Sequence, residues 1–136
     1  MAMTRAQQTL MEEMKLHRHF GGSSWFSVAT EILAAQEGIL AGVVGATSVE
    51  NEPALFVTDQ RVILAKPRLS GAWKVSKEFA AADVAGAELT KRMLTNKVTV
   101  HSRFGDSLSL KTHDDGHGDR LVDVIRHLVA GGAPPR

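Results

Sequence analysis

After Gly38 the apolar and polar positions of the chain follow the short runs typical of β-strands. Residues 54–66 carry the clearest signal, because two apolar, β-branched runs flank the polar corner Thr58-Asp59-Gln60-Arg61. This arrangement predicts a tight β-hairpin. Further runs predict strands at 39–46, 73–79, 84–89, 97–104 and 106–110. Short antiparallel strands at this spacing indicate a barrel or a sandwich.

Helical periodicity replaces this pattern towards both ends of the chain. Residues 4–19 carry apolar side chains along one stripe, and Thr4 with Gln7 fits a capping box at the start of the helix. Apolar residues at helical spacing predict a second helix at 25–36. A third helix is predicted at 117–130, where the apolar stripe has the i, i+4, i+7 spacing of a helix packed on a core.

Composition narrows the possible functions. The 136 residues include no cysteine, which excludes disulfides, cysteine metal sites and thiol catalysis. The formal net charge of +1 disfavours general nucleic-acid binding. No apolar stretch is long enough to span a bilayer, and the first residues lack the apolar core of a signal peptide. We therefore expect a cytoplasmic protein.

Two segments resemble a known family. The run 36–42, Gln-Glu-Gly-Ile-Leu-Ala-Gly, looks like a first strand led by a glutamate, and 55–63 is similar to a hairpin of the form leucine, two apolar residues, Thr-Asp-x-Arg, two apolar residues. Both features resemble the bacterial pleckstrin-homology-like (PH-like) family often called YokE-like. The resemblance covers roughly residues 31–130. Within the turn, Asp59 is expected to accept backbone N–H groups, and Arg61 to pair with Asp59 or cap nearby carbonyls.

The resemblance implies a mainly β fold with helices. The expected core unit is a PH-like, seven-stranded antiparallel barrel or sandwich capped by a C-terminal α-helix, at residues 37–131. Residues 1–36 then form an N-terminal helical extension, and 132–136 form a loose tail rich in glycine and proline.

The function favoured by these observations is non-enzymatic. We expect an interaction module that binds a protein partner, its own copies or both, using the N-terminal helices and an exposed strand edge. Bacterial PH-like domains are often oligomeric, so the resemblance favours self-association. The predicted self-association stripe consists of Met3, Leu10, Met11 and Met14. The alternative is that this stripe packs on the chain's own barrel.

Peripheral membrane association is the second hypothesis. The loop at 47–53 contains two glutamates and no basic residue, so it does not resemble a phosphoinositide-binding loop. The segment 66–74 is a better candidate for anionic lipids or a partner, through Lys66, Arg68, Trp73 and Lys74. Its simpler interpretation is a solvated turn in which Trp73 belongs to a strand. Lys91, Arg92 and Lys97 form another basic corner, where charge usually serves solubility.

A metal-dependent hydrolase is the least favoured hypothesis. Two imidazoles and three carboxylates occur within residues 113–119, and His113 and His117 are possible zinc ligands. The run is rich in glycine and does not lie on one helical face, so capping of the last helix by Asp114 or Asp115 explains it better. No nucleophile motif or phosphate-binding loop is present. We therefore predict no catalytic residue, no resident metal and no cofactor.

Overall fold

The computed structural model describes residues 3–15, 28–45, 53–67, 72–91, 95–113 and 116–130. The helices are α1 (Arg5–Met14), α2 (Val28–Glu31) and α3 (His117–Val129). The strands are β1 (Ile39–Val44), β2 (Ala54–Thr58), β3 (Arg61–Pro67), β4 (Trp73–Ala80), β5 (Val84–Lys91), β6 (Thr95–Ser102) and β7 (Ser107–His113). A 3₁₀ turn at Ala81–Asp83 joins β4 to β5.

The strands form two antiparallel sheets. The four-stranded sheet has the order β1-β2-β3-β4, and the three-stranded sheet has the order β5-β6-β7. Within the described ranges one isolated β-bridge, between Gly45 and Thr112, also connects the two sheets. The predicted seven-stranded PH-like fold with a C-terminal helix is confirmed, and it is a sandwich, not a closed barrel.

The hairpin at 54–66 is confirmed as β2 and β3, with Phe56 opposite Ile63 and Val57 opposite Val62. Its turn is organised by Thr58, whose Oγ1 accepts the N–H groups of Gln60 and Arg61 at 3.1 and 3.0 Å. The expectation that the Asp59 carboxylate accepts N–H groups of its own turn is wrong. The Asp59 carboxylate instead accepts the N–H of Gly38, just before β1.

The main core lies between the two sheets. Inward-facing residues of all strands and the apolar face of α3 form one cluster, which includes Val57, Val98, Leu121 and Ile125. The apolar stripe of α3 is therefore buried, as its helical spacing predicts. The helix begins after Gly116, whose φ of +86° favours glycine. The N-cap position is Gly116, and the expected capping residues, Asp114 and Asp115, lie outside the described residues.

A second core covers the outer face of the four-stranded sheet. Alternate residues of β2 and β3, such as Phe56 and Ile63, pack there against Leu10 of α1 and Val28 of α2. The N-terminal helices therefore pack on their own sheet. As a result β2 is buried on both faces, whereas β4 stays largely exposed. No helix in the described residues is long and apolar enough to cross a membrane.

Both N-terminal helices are shorter than the apolar pattern predicts. The capping box of α1 is confirmed by reciprocal hydrogen bonds between Thr4 and Gln7. The helix ends at Met14, and residues 16–27 lie outside the described ranges. Of the predicted helix at 25–36, residues 25–27 lie outside the described ranges, and the rest contains only the turn α2, which ends at Glu31. Beyond it, the N–H of Ala34 donates to the Glu37 carboxylate instead of to a carbonyl of a continuing helix.

Candidate functional site

One edge of the four-stranded sheet is closed by side chains. Along β1, the N–H of Ile39 donates to Thr9 Oγ1 at 2.9 Å and the N–H of Gly42 donates to Glu13 Oε2 at 3.1 Å. The Leu40 carbonyl accepts from Arg120 Nη2 at 3.0 Å. Because α1 and α3 supply these partners, the β1 edge is not available for strand addition.

A buried ion pair holds this closure in place. The Glu13 side chain is 3% exposed, and both of its oxygens accept from Arg120 Nη1, at 2.8 and 2.6 Å. Glu13 lies on α1 and Arg120 on α3, so the pair connects the N-terminal extension to the closing helix. Arg120 therefore stabilises the packing of α1 and α3 on β1.

The edge of the three-stranded sheet at β5 is open. No strand in the described residues pairs with its outer side, and α3 runs beside it. The helix approaches closely because Gly118 has no side chain; a Cβ there would lie 3.0 Å from Leu89 Cδ1. Between strand and helix lies a cleft of about 620 Å³, lined by Leu89, Lys91, Asp119, Arg120, Val122, Asp123 and Arg126.

This β5–α3 cleft is lined by apolar side chains and by charged side chains. Leu89 and Val122 supply apolar surface. Lys91 and Arg126 are exposed and contact no carboxylate in the described part of the chain. Asp119 lies in the first turn of α3, where the helix dipole favours a negative charge. The cleft therefore presents apolar side chains together with charges of both signs.

A second cleft of about 550 Å³ lies between α1, β1 and α3 and includes His117 in its lining. Its central carboxylate, Glu13, is occupied by Arg120. Within the described ranges no group of three or more His, Asp, Glu or Cys side chains could hold a metal ion. The side chain of the other candidate ligand, His113, lies outside the described residues.

Only some of the described residues in the predicted basic surface at 66–74 are exposed. Lys66 and Lys74 are exposed and lie directly opposite each other on β3 and β4. Trp73 is 6% exposed and packs in the second core, so its predicted place on a partner or lipid surface is wrong. The reason is that α2 covers this face of the sheet, where the Glu31 carboxylate also accepts the backbone N–H of Trp73. Arg68 lies outside the described residues.

The predicted self-association stripe is likewise divided. Leu10 is fully buried in the second core and is not available on a free surface, whereas Met14 is partly buried against that core. Met3 and Met11 are 43% and 37% exposed. Self-association through α1 stays a prediction that now depends on Met3, Met11 and the exposed part of Met14.

The residues that carry the sequence resemblance form one network. The Glu37 carboxylate accepts from Arg61 Nε and Nη2 at 2.9 and 3.0 Å and from the Thr58 hydroxyl at 2.6 Å. Arg61 also contacts Glu78. Of its two expected roles, Arg61 does not pair with Asp59 but does cap a carbonyl, that of Ile32. Asp59 pairs with Arg5 instead. Glu37, just before β1, and the Thr-Asp-x-Arg turn between β2 and β3 therefore stabilise each other.

This network predicts acid sensitivity. Burial by itself would raise the pKa of Glu37, but hydrogen bonds from Arg61, Thr58 and Ala34, with the charge of Arg61, hold that pKa below its ordinary value. A carboxyl with a lowered folded pKa stabilises the fold above its unfolded pKa, about 4.3, and this contribution is lost as the pH falls through the folded value. Unfolding by urea at a series of pH values should show stability falling in acid, with a smaller fall in Glu37→Gln.

The control for this comparison is internal. The pKa of Asp106 is also lowered, by hydrogen bonds from Lys77 and the Ser107 N–H, and Asp106 is present in both proteins. Only the difference between the two pH profiles therefore reports on Glu37. Parallel profiles would show that the Glu37 network does not contribute to acid sensitivity.

Sequence reasoning identified Lys91 as part of a basic corner but missed the β5–α3 cleft. The cleft joins Leu89 on a weak strand to Val122 and Arg126 on a helix far along the chain. The one local signal is Gly118, since a glycine inside a helix often marks a close approach of another element.

The family comparison agrees with the architecture. The profile of the family described as "Bacterial PH domain" matches residues 33–127. No curated protein matches the chain. Among solved structures, the chain is similar to the crystal structure of the C-terminal domain of an unknown protein from Leishmania infantum. That match has 15% identity and a TM-score of 0.48, and covers 70% of this chain and 87% of the other. The narrower YokE-like assignment stays a prediction.

Proposed function

Because this chain belongs to the bacterial PH domain family, we propose that it is a non-catalytic interaction module that binds an extended segment of a partner protein. The proposed binding site is the β5–α3 cleft. One observation carries this proposal: the β5 edge is open beside a cleft, whereas the β1 edge is closed by hydrogen bonds from Thr9, Glu13 and Arg120.

The physical basis of the proposal is strand addition. An extended peptide beside β5 would form main-chain hydrogen bonds with its free edge, and these supply affinity without regard to sequence. Side chains of such a peptide alternate between two faces, so every second one would point towards α3. Leu89 and Val122 would receive an apolar side chain there, while Lys91 and Arg126 would favour a peptide that is not strongly basic.

Charge reversal in the cleft tests the proposal. Peptides selected from a random displayed library against the intact protein should bind the variant Lys91→Glu/Arg126→Glu roughly tenfold more weakly, measured by fluorescence anisotropy. The matched control is Lys74→Glu/Arg103→Glu, which reverses one exposed lysine and one exposed arginine away from the cleft. Equal affinities for the two double variants would show that the peptides bind elsewhere.

Peripheral membrane association has less support than the binding of a peptide in the β5–α3 cleft. The exposed pair Lys66 and Lys74 is retained, but each cation contributes only about 1 kcal/mol at an anionic surface. Trp73, the expected apolar anchor, is buried in the second core. The segment therefore lacks the apolar insertion that would strengthen weak electrostatic binding.

A further inference from the structure

The exposed charges on the cleft side of α3 are separated by sign along the helix. Asp119 and Asp123 lie in its first two turns, and Arg126 lies in its last turn. All three side chains are exposed and line the β5–α3 cleft. Neither Asp119 nor Arg126 forms an ion pair within the described ranges, and Asp123 only approaches His127, at 3.9 Å. These charges are therefore available to a partner.

The strand that forms the other wall of the cleft has charges in the same order at its ends. Asp83 lies immediately before β5, and Lys91 is the last residue of β5. Neither side chain forms an ion pair in the part of the chain that the structure describes. No strand of the described ranges pairs with the outer edge of β5. Strand and helix therefore each have an acidic N-terminal end and a basic C-terminal end.

Two copies related by a two-fold axis perpendicular to the sheet would satisfy both sets of charges. Such an axis makes equivalent elements antiparallel, so the acidic end of each element faces the basic end of its equivalent. On the helices, Asp119 and Asp123 of one copy then face Arg126 of the other, and the same contact occurs twice. On the strands, the two open edges form an antiparallel ladder. The mixed charges of the cleft thus suit a self-complementary surface.

We propose that the β5–α3 cleft binds a second copy of this chain, with β5 of each copy adding to β5 of the other. This inference rests on the proposed function, and it names an extended segment that occupies the cleft. A peptide of another protein and the second copy need the same strand edge, so each displaces the other. Self-association therefore regulates access to the cleft.

The central charge of β5 selects the register of this pairing. With Ala87 on the two-fold axis, Glu88 lies opposite Gly86 of the second copy, whereas an axis at Glu88 would place two carboxylates directly opposite each other. The same register brings Lys91 close to Asp83 of the second copy. Each copy contributes one strand and one helical face, so the interface belongs to the small and transient class.

Sedimentation equilibrium of the intact protein tests the inference. We expect a monomer–dimer equilibrium with a dissociation constant on the order of 100 µM, and the dimer should weaken as the salt concentration rises. The variants Asp119→Lys/Asp123→Lys and Arg126→Glu should each self-associate roughly tenfold more weakly, because like charges then face each other. An equimolar mixture of these two variants should form dimers again, because each cation then faces a carboxylate. This recovery excludes misfolding as the cause of the loss.

The control variant is Met3→Ser/Met11→Ser, which removes the exposed apolar side chains of α1 and should dimerise like the intact protein. Loss of the dimer in this control alone would assign self-association to α1 and overturn the inference. A selected peptide that binds the cleft should dissociate the dimer. A dimer that keeps its mass with the peptide bound in the cleft would also overturn the inference.

The outcomes separate this inference from the proposed function. A monomer at all concentrations, with peptide affinity lost in Lys91→Glu/Arg126→Glu, would overturn the second copy as an occupant and leave the cleft as a peptide site. Peptide binding that ignores Lys91→Glu/Arg126→Glu, together with dimers restored in the mixture, would overturn the proposed peptide partner and support the second copy. Failure of the mixture to dimerise would overturn the pairing of Arg126 with Asp119 and Asp123.

Discussion

Replacement of Arg61 by alanine is expected to lower the free energy of unfolding by roughly 3–5 kcal/mol, because it leaves a buried carboxylate without its cation. The Glu37 side chain is 1% exposed and accepts two hydrogen bonds from Arg61. The substitution also removes the hydrogen bond from Arg61 Nη2 to the Ile32 carbonyl at 2.8 Å. Denaturant unfolding followed by circular dichroism measures the loss.

The control for this prediction is an exposed ion pair in the same region. Arg5 pairs with Asp59, and their side chains are 45% and 31% exposed. Because solvent screens such a pair, Arg5→Ala should cost less than about 1 kcal/mol. Equal losses for Arg61→Ala and Arg5→Ala would mean that the Glu37 network is no more important than a surface contact.

Replacement of Arg120 by alanine is expected to cost about 3 kcal/mol and to loosen α1. The substitution removes the Arg120 guanidinium from the buried Glu13 carboxylate, which keeps its hydrogen bond from Gly42. We place the effect at the lower end of the range for buried pairs, since the Arg120 side chain is 35% exposed compared with 23% for Arg61. Denaturant unfolding measures this loss of stability.

Amide hydrogen exchange reports the loosening directly. The N–H groups of Ile39 and Gly42 donate to Thr9 and Glu13 of α1, so both should exchange faster in Arg120→Ala. The matched control is Arg126→Ala, which removes an exposed arginine from the same helix. If both variants are equally stable and exchange is unchanged, α1 is not held by the Glu13–Arg120 pair.

Features with local signals could be predicted from the sequence. The hairpin at 54–66 depends on a polar corner between two apolar runs, and the capping box depends on Thr4 and Gln7, three residues apart. The stripe of α3 repeats within a single element. In each case the residues that interact are neighbours along the chain or follow one period, so the pattern alone identifies them.

Contacts between distant residues could not be predicted in the same way. Glu37 and Arg61 are 24 positions apart, and Glu13 and Arg120 are 107 positions apart. No periodicity connects such pairs, since the fold alone brings them together. The β5–α3 cleft has the same origin, because its walls come from two separate elements.

Trp73 shows a different limit of prediction from the sequence pattern. The sequence places Trp73 either on a basic surface or in a strand, and alternation in a sheet with one buried face does not decide between the two. In this protein the N-terminal helices cover part of the outer face of the four-stranded sheet, including Trp73, and β2 is buried on both faces. The alternation within β2 and β3 then separates two cores, and burial no longer follows from the position of a residue in the pattern.

Chemical-shift mapping tests the central claim most directly. A peptide selected against the intact, isotope-labelled protein is titrated while the backbone amide resonances are followed. We expect the largest shifts in β5 and in residues 119–126 of α3, with β5 edge amides becoming protected from hydrogen exchange as a strand is added. Shifts confined to Lys66, Lys74 or the exposed side of α1, with β5 unchanged, would contradict the assignment of the β5–α3 cleft as the binding site.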